Sequence, residues 1–151
     1  MKKDLIVIQG GCKECGAACL LSIIRYYGGD ASLDRLVDMT KTTKDGTNFY
    51  NMSEAITKFN IIAKCYKCDD IDKIKNISLP FIAQINNNNY NHFVVVYKIF
   101  DNKIIVMDPS KGRCNLDTFD FFNNWTGNIM LFEKINAIPN YDNEKILNKI
   151  I

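Results

Sequence analysis

Long apolar runs, a strong net charge and repeated histidines are all missing from this 151-residue chain. No apolar run approaches the ~18–20 residues that cross a bilayer, so no membrane span is expected in it. The formal net charge is only +2 and no basic block stands out, which argues against a nucleic-acid partner. The apolar run in MKKDLIVIQGG is shorter than the ~7–15 residues of a secretory-signal core and gives way to polar QGGCKE, so no signal is read there. Without one, the six cysteines are expected as free thiols in a reducing compartment. No internal repeat is found. The single histidine is His92, so any imidazole chemistry passes through it.

What is present suits one domain: 47% of the residues are hydrophobic, enough for one core. Lys2 to Ile8 reads as extended. Gln9 to Gly28, QGGCKECGAACLLSIIRYYG, reads as a glycine-containing turn and then a helix. The helix begins near Glu14–Cys15 and stops at Gly28–Gly29. Ser32 can cap a short helix through Met39. Thr40 to Asn48 forms a polar loop, and a third helix is predicted from Phe49 to Phe59. Strands are predicted at Ile61–Tyr66, Pro80–Ile85, His92–Ile99 and Lys103–Met107, with an Asn86–Asn89 loop and an Asp101-Asn102 turn suiting an antiparallel meander. Asp69 to Lys75 reads as a short helix or turn, Asp117 to Asn124 as a helix, and Asn128 to Phe132 as a last strand. Helices first and strands afterwards predict an α+β domain with its sheet packed on the helical half.

A cysteine in the first turn of a helix sits where unpaired N–H groups and the helix dipole favour a nucleophilic thiolate. Cys15 occupies that place. His92 is the candidate base, and a lone histidine is otherwise an ordinary surface or satisfied residue. Asp108 ends the strand after that of His92, so hairpin pairing would put both at one rim, where Asp108 could fix the imidazole tautomer. Its bland alternative is a turn-forming Asp-Pro. Gln9 could donate to an oxyanion together with the Cys15 N–H. Gly10, Gly11 and Gly16 remove bulk around the thiol.

These residues occur in a specific order. Gln9, Glu14-Cys15-Gly16, Ala18-Cys19-Leu20, Tyr26-Tyr27-Gly28, Asn91-His92-Phe93-Val94-Val95, Asp108-Pro109, Phe122 and Trp125-Thr126-Gly127 together resemble the double-glycine-leader, bacteriocin-processing cysteine peptidase domain of peptidase-containing ATP-binding-cassette transporters. The resemblance runs from about Asp4 to Glu133. It implies a papain-like fold over residues 1–135, with 136–151 a linker or tail leading to a transporter membrane domain. It also implies Cys15 as nucleophile, His92 as base, Asp108 as orienting group, Gln9 as oxyanion donor, and cleavage after Gly-Gly or Gly-Ala leaders. No metal or organic cofactor is needed for the peptidase step. The implied partners are a precursor with a helical leader and the transporter's transmembrane and ATPase domains. The implied place is the cytoplasmic face of the membrane, with this piece itself soluble. Candidates for a leader groove are Tyr27, Met39, Tyr50, Met52, Ala55, Ile56 and Phe59. Glu14 stands where the family more often has Asp, and Asn60 replaces a common glycine; Asn tolerates positive φ, so that turn should survive.

Two rivals belong to other classes. Cys12–Cys15 and Cys65–Cys68 are both C-x-x-C, as in zinc or redox sites, but the gap between them far exceeds the ~15–20 residues of a compact zinc ribbon. The other rival is a leader-binding module without catalysis.

Overall fold

The first helix, α1 (Cys15–Tyr26), is buried along its whole length from Cys15 to Ile24, so the rest of the fold wraps around it. It ends in a Schellman motif: Gly28, at φ +96°, donates to the Arg25 carbonyl and Gly29 donates to that of Ile24. The computed structural model describes residues 1–87 and 90–135. The expected tail, 136–151, lies outside the described residues.

Two shorter helices flank α1. In α2 (Leu33–Met39) the Ser32 side chain caps the start by accepting the Arg35 N–H at 3.1 Å. In α3 (Phe49–Thr57) Asn48 accepts from Asn51 in the same way at 2.8 Å. Asn60 then turns the chain at φ +59°, the conformation its short amide tolerates.

The strands are β1 (Ile61–Lys67), β2 (Phe81–Asn87), β3 (Tyr90–Ile99), β4 (Lys103–Asp108), β5 (Gly112–Asp117) and β6 (Trp125–Lys134), with α4 (Ile71–Ile74) and α5 (Thr118–Asn124) between them. They form one sheet in the order β1-β6-β2-β3-β4-β5, and every pairing is antiparallel. The predicted meander is β2 to β4, which β5 extends by one strand, while β6 returns to lie between β1 and β2. One face packs on α1–α3, joining Leu20, Leu21, Ile56 and Phe59 to Val95, Met107 and Met130. The other face carries α5 and gathers Phe81, Val94, Val96, Val106 and Phe121. The run Phe93-Val94-Val95-Val96 is continuous because β3 is buried on both sides. Truncating Leu20 or Ile56 to Ala would cost about 2–5 kcal/mol by the usual cavity penalty.

Three sequence expectations need correction. Lys2 to Ile8 is not extended throughout: Lys3–Leu5 makes a 3₁₀ turn that drops Leu5 into the interior, where its carbonyl accepts from Ser22 Oγ at 2.6 Å. The Asn86–Asn89 loop is shorter than expected, because the β2–β3 ladder continues through Asn86↔Asn91 and Asn87↔Tyr90. Strand β5 was not anticipated; its sequence, Gly-Arg-Cys-Asn-Leu-Asp, is mostly polar because it forms a sheet edge.

Candidate active site

Cys15 is the first residue of α1, so its thiol stands at the helix start, and it is 6% exposed. The loop before it is fastened at two points. Glu14 Oε1 accepts the Gly10 N–H at 3.0 Å, and Gln9 donates its N–H to the Pro109 carbonyl at 2.9 Å. The second bond ties the segment before Cys15 to the residue after Asp108. Gly16 allows a different close approach: a Cβ there would lie 2.5 Å from Thr47 Cγ2 and 3.1 Å from Met52 Sδ. That glycine lets the 46–49 loop press on α1, a packing role rather than the clearing of space around the thiol that was expected.

His92 is the third residue of β3, paired with Ile85, and is 1% exposed. It is expected at the sheet rim rather than inside the core; the structure buries it, with Asp108 and Cys15 against the ring. Its Nε2 is 2.8 Å from Asp108 Oδ1. Nδ1 is buried with no hydrogen-bond partner among the described residues, and the Cys15 thiol lies close enough to act on the ring. Burial by itself would favour the neutral imidazole. The bond to Asp108 and the neighbouring Cys15 outweigh it and raise the His92 pKa from 6.5 to about 9.

Asp108 closes β4, and its Oδ1 takes two more donors: the Ser110 N–H at 2.9 Å and the Ser110 hydroxyl at 2.7 Å. Burial pushes this carboxyl up, but the bonds from His92 and Ser110 prevail and hold it at about 2. Ser110 was not singled out from the sequence. The available signal was Asp108-Pro109-Ser110, a turn in which an Asp accepts from the N–H two residues on.

Gln9 is half-buried, and its Oε1 is buried without a partner among the described residues. Cys19, one turn past Cys15, is fully buried; that burial, with the neighbouring Cys15 and Asp108 adding to it, pushes its pKa well up and keeps it a thiol.

Beside Cys15 lies a cleft of about 400 Å³, lined by the 45–48 loop and by Phe49, Gln84, Tyr90, Phe93 and Asn128. Lys13 reaches over the Tyr90 ring, 5.5 Å from its centroid. The expected groove residues do not gather here. Met52, Ala55, Ile56 and Phe59 are at most 2% exposed, which corrects their assignment to a peptide-binding surface: helical periodicity marks an apolar face, and α1 and the sheet cover this one. Tyr27 and Met39 are partly buried against the same core, and Tyr50 is 69% exposed.

All six cysteines are free thiols, and among the described residues no three His, Cys, Asp or Glu side chains gather to hold a metal ion. The two C-x-x-C pairs do not join. Among the described residues no helix is long and apolar enough to cross a membrane.

The family model of Peptidase C39 matches residues 3–137. The lactococcin-G-processing and transport ATP-binding protein LagD of Lactococcus lactis subsp. lactis is 36% identical over 139 residues, covering 91% of this chain and 19% of LagD. This chain spans only 16–21% of the length of such curated relatives. Among solved structures, the peptidase domain of Streptococcus ComA, a bi-functional ABC transporter involved in quorum sensing, superposes with a TM-score of 0.78 at 28% identity, covering 85% of this chain and 97% of that one. A double-glycine-motif protease from an AMS/PCAT transporter, solved with its leader peptide, gives a TM-score of 0.80 at 27% identity, covering 86% and 91% respectively. The fold is the papain-like α+β architecture of those domains.

Proposed function

This chain belongs to the Peptidase C39 family, and from that membership we propose that it is a cysteine endopeptidase removing double-glycine-type leaders, Gly-Gly or Gly-Ala, from precursors of bacteriocins, lanthipeptides or similar secreted peptides. The observation that carries the reading is the buried imidazole of His92, bonded to Asp108 through Nε2, with Nδ1 left unpaired among the described residues and Cys15 neighbouring the ring.

In the proposed reaction the Cys15 proton resides on His92, and the Cys15 sulfur attacks the carbonyl carbon of the residue before the cut. The carbonyl π electrons move onto oxygen, which the Gln9 amide and the Cys15 N–H stabilise. Collapse of the tetrahedral species breaks the C–N bond, and His92 gives its proton to the leaving amine. Water, deprotonated by His92, then hydrolyses the thioester and restores the thiol. Asp108 holds the ring and favours its charged form. The step needs no metal or organic cofactor.

The partners in this reading are a precursor with a helical leader and the transmembrane and ATPase domains of an ABC transporter to which residues 136–151 would lead, at the cytoplasmic face of a bacterial membrane. Nucleic acid has no part in it. The test is incubation with a double-glycine precursor and mass spectrometry of the products. Cleavage after the two small residues, lost in Cys15→Ala and His92→Ala with precursor binding retained, is the expected result. Function unchanged in Cys15→Ala would leave only a leader-binding module.

A further inference from the structure

Trp125-Thr126-Gly127 belongs to the ordered set read from the sequence, yet the proposed chemistry gives it no task. In the sheet it marks a break. The β2–β6 ladder runs through Ala83↔Ile129 and resumes at Ile85↔Trp125, so Thr126, Gly127 and Asn128 of β6 lie opposite the single residue Gln84. Bulges of this kind re-aim side chains and recur beside active sites. This one is pinned from behind. The Gly127 carbonyl accepts the Cys68 N–H at 2.7 Å, Gly127 sits at φ +92°, and a Cβ there would lie 2.8 Å from the Cys68 carbonyl oxygen.

The bulge fixes the orientation of Gln84. Its Oε1 accepts from Asn128 Nδ2 at 2.8 Å and from the Thr126 hydroxyl at 3.2 Å, and that hydroxyl also reaches the Gln84 carbonyl at 3.1 Å. With Asn128 donating to the oxygen and the one Thr126 proton shared between that oxygen and the Gln84 main-chain carbonyl, the carboxamide N–H₂ faces away from both. Gln84 and Asn128 line the cleft that Cys15 also lines. A carboxamide held by its oxygen is a fixed donor, matched to a carbonyl and mismatched to an N–H. Fixing the donor in advance also lowers the ordering cost of binding.

We propose that Gln84, oriented by Thr126 and Asn128, is a peptide-binding residue of the cleft that donates its N–H₂ to a main-chain carbonyl of the bound precursor. The inference rests on the peptidase reading for the identity of its ligand. It adds a specificity element outside the Cys15–His92–Asp108 set. A main-chain contact takes any side chain at that position but requires an extended peptide along the cleft wall.

The deciding variant is Gln84→Glu. A carboxylate keeps acceptors for Thr126 and Asn128 at nearly the same shape, removes the two N–H donors and turns an acceptor towards the peptide. Asn128→Asp works from the other side, offering the Gln84 amide an acceptor and drawing its N–H₂ out of the cleft. Each is placed in a Cys15→Ala chain, and the Kd for a fluorescently labelled double-glycine precursor is read by anisotropy, with thermal unfolding as the control for folding. The expected result is a Kd raised roughly tenfold in both at an unchanged unfolding temperature, the scale of one lost hydrogen bond and a mispaired carbonyl. In the Cys15 chain KM should rise similarly while kcat holds. Kd and KM within twofold of the parent for Gln84→Glu, or a fall in kcat alone, would overturn the proposal. Cleavage by the unmutated chain is scored separately. Cleavage with an unmoved Kd sinks Gln84 alone; weakened binding without any cleavage supports Gln84 and sinks the peptidase; no binding by the Cys15→Ala chain sinks both.

Discussion

Cys12–Cys15 and Cys65–Cys68 share a spacing and little else. The first pair ends in a thiol at the start of a buried helix, beside an imidazole that Asp108 holds in its charged form. The second lies at the far end of β1, a sheet edge, where Cys65 is exposed and only the cover of its neighbours acts on the thiol, pushing its pKa up. Equal spacing therefore says nothing about equal chemistry. What separates the pairs is convergence of distant residues on one sulfur.

Each step of stripping Cys15 of what Cys65 lacks should show in a measurement. The largest effect is Cys15→Ala, expected to reduce precursor cleavage by about 10⁴-fold or more, as loss of a nucleophile does, against less than about twofold for Cys65→Ala, a substitution at an exposed edge. Equal losses would erase the contrast. Asp108→Asn keeps the shape but removes the charge that holds the imidazolium; kcat/KM should fall by about 10²-fold or more. Third comes the pH profile. An imidazolium with a pKa of about 9 should give cleavage that persists through neutrality and declines as pH rises through about 9. A decline centred near 6.5 would mean that Asp108 and Cys15 do not hold the proton. The same raised pKa predicts a stability contribution present in full below 6.5 and lost as pH rises through about 9, readable by urea unfolding across that range.

The smallest effect belongs to Ser110→Ala. It removes one of two Ser110 donors to a carboxylate and should cost about 1 kcal/mol in urea unfolding at neutral pH. Asp108, held at about 2 against 3.8, supplies stability above 3.8 that disappears as pH falls through 2. With Ser110→Ala that acid loss should begin at higher pH; an unmoved acid limb would leave His92 and the Ser110 N–H as the support of Asp108.

How much of this could be read in advance follows the range of the interactions. The end of α1, the Ser32 cap and the Asn60 turn are local, and the residues that set them lie within a turn of one another. His92 beside Asp108 was legible because a short hairpin joins them, whereas the His92 burial brings in Cys15, a residue far away in sequence. Met52, Ala55 and Ile56 on α3 are buried for a related reason: periodicity identifies the apolar side of a helix but not what lies over it. The Gln84 cluster links residues 42 and 44 positions apart through a bulge whose register no local pattern encodes. Ser110, only two residues from Asp108, is a local contact of the same kind as the caps.

The bond from the Gln9 N–H to the Pro109 carbonyl has a consequence for the order of events during synthesis. The thiol segment is made early, while its neighbours arrive only when β3 and β4 have been made and folded back. Such long loops close slowly compared with a helix. A growing chain thus carries its sulfur without the groups that would arm it until β4 has been made. The backbone latch at Pro109 forms only when β4 is complete, so loop position and imidazole orientation are acquired together, late, in one act of closure.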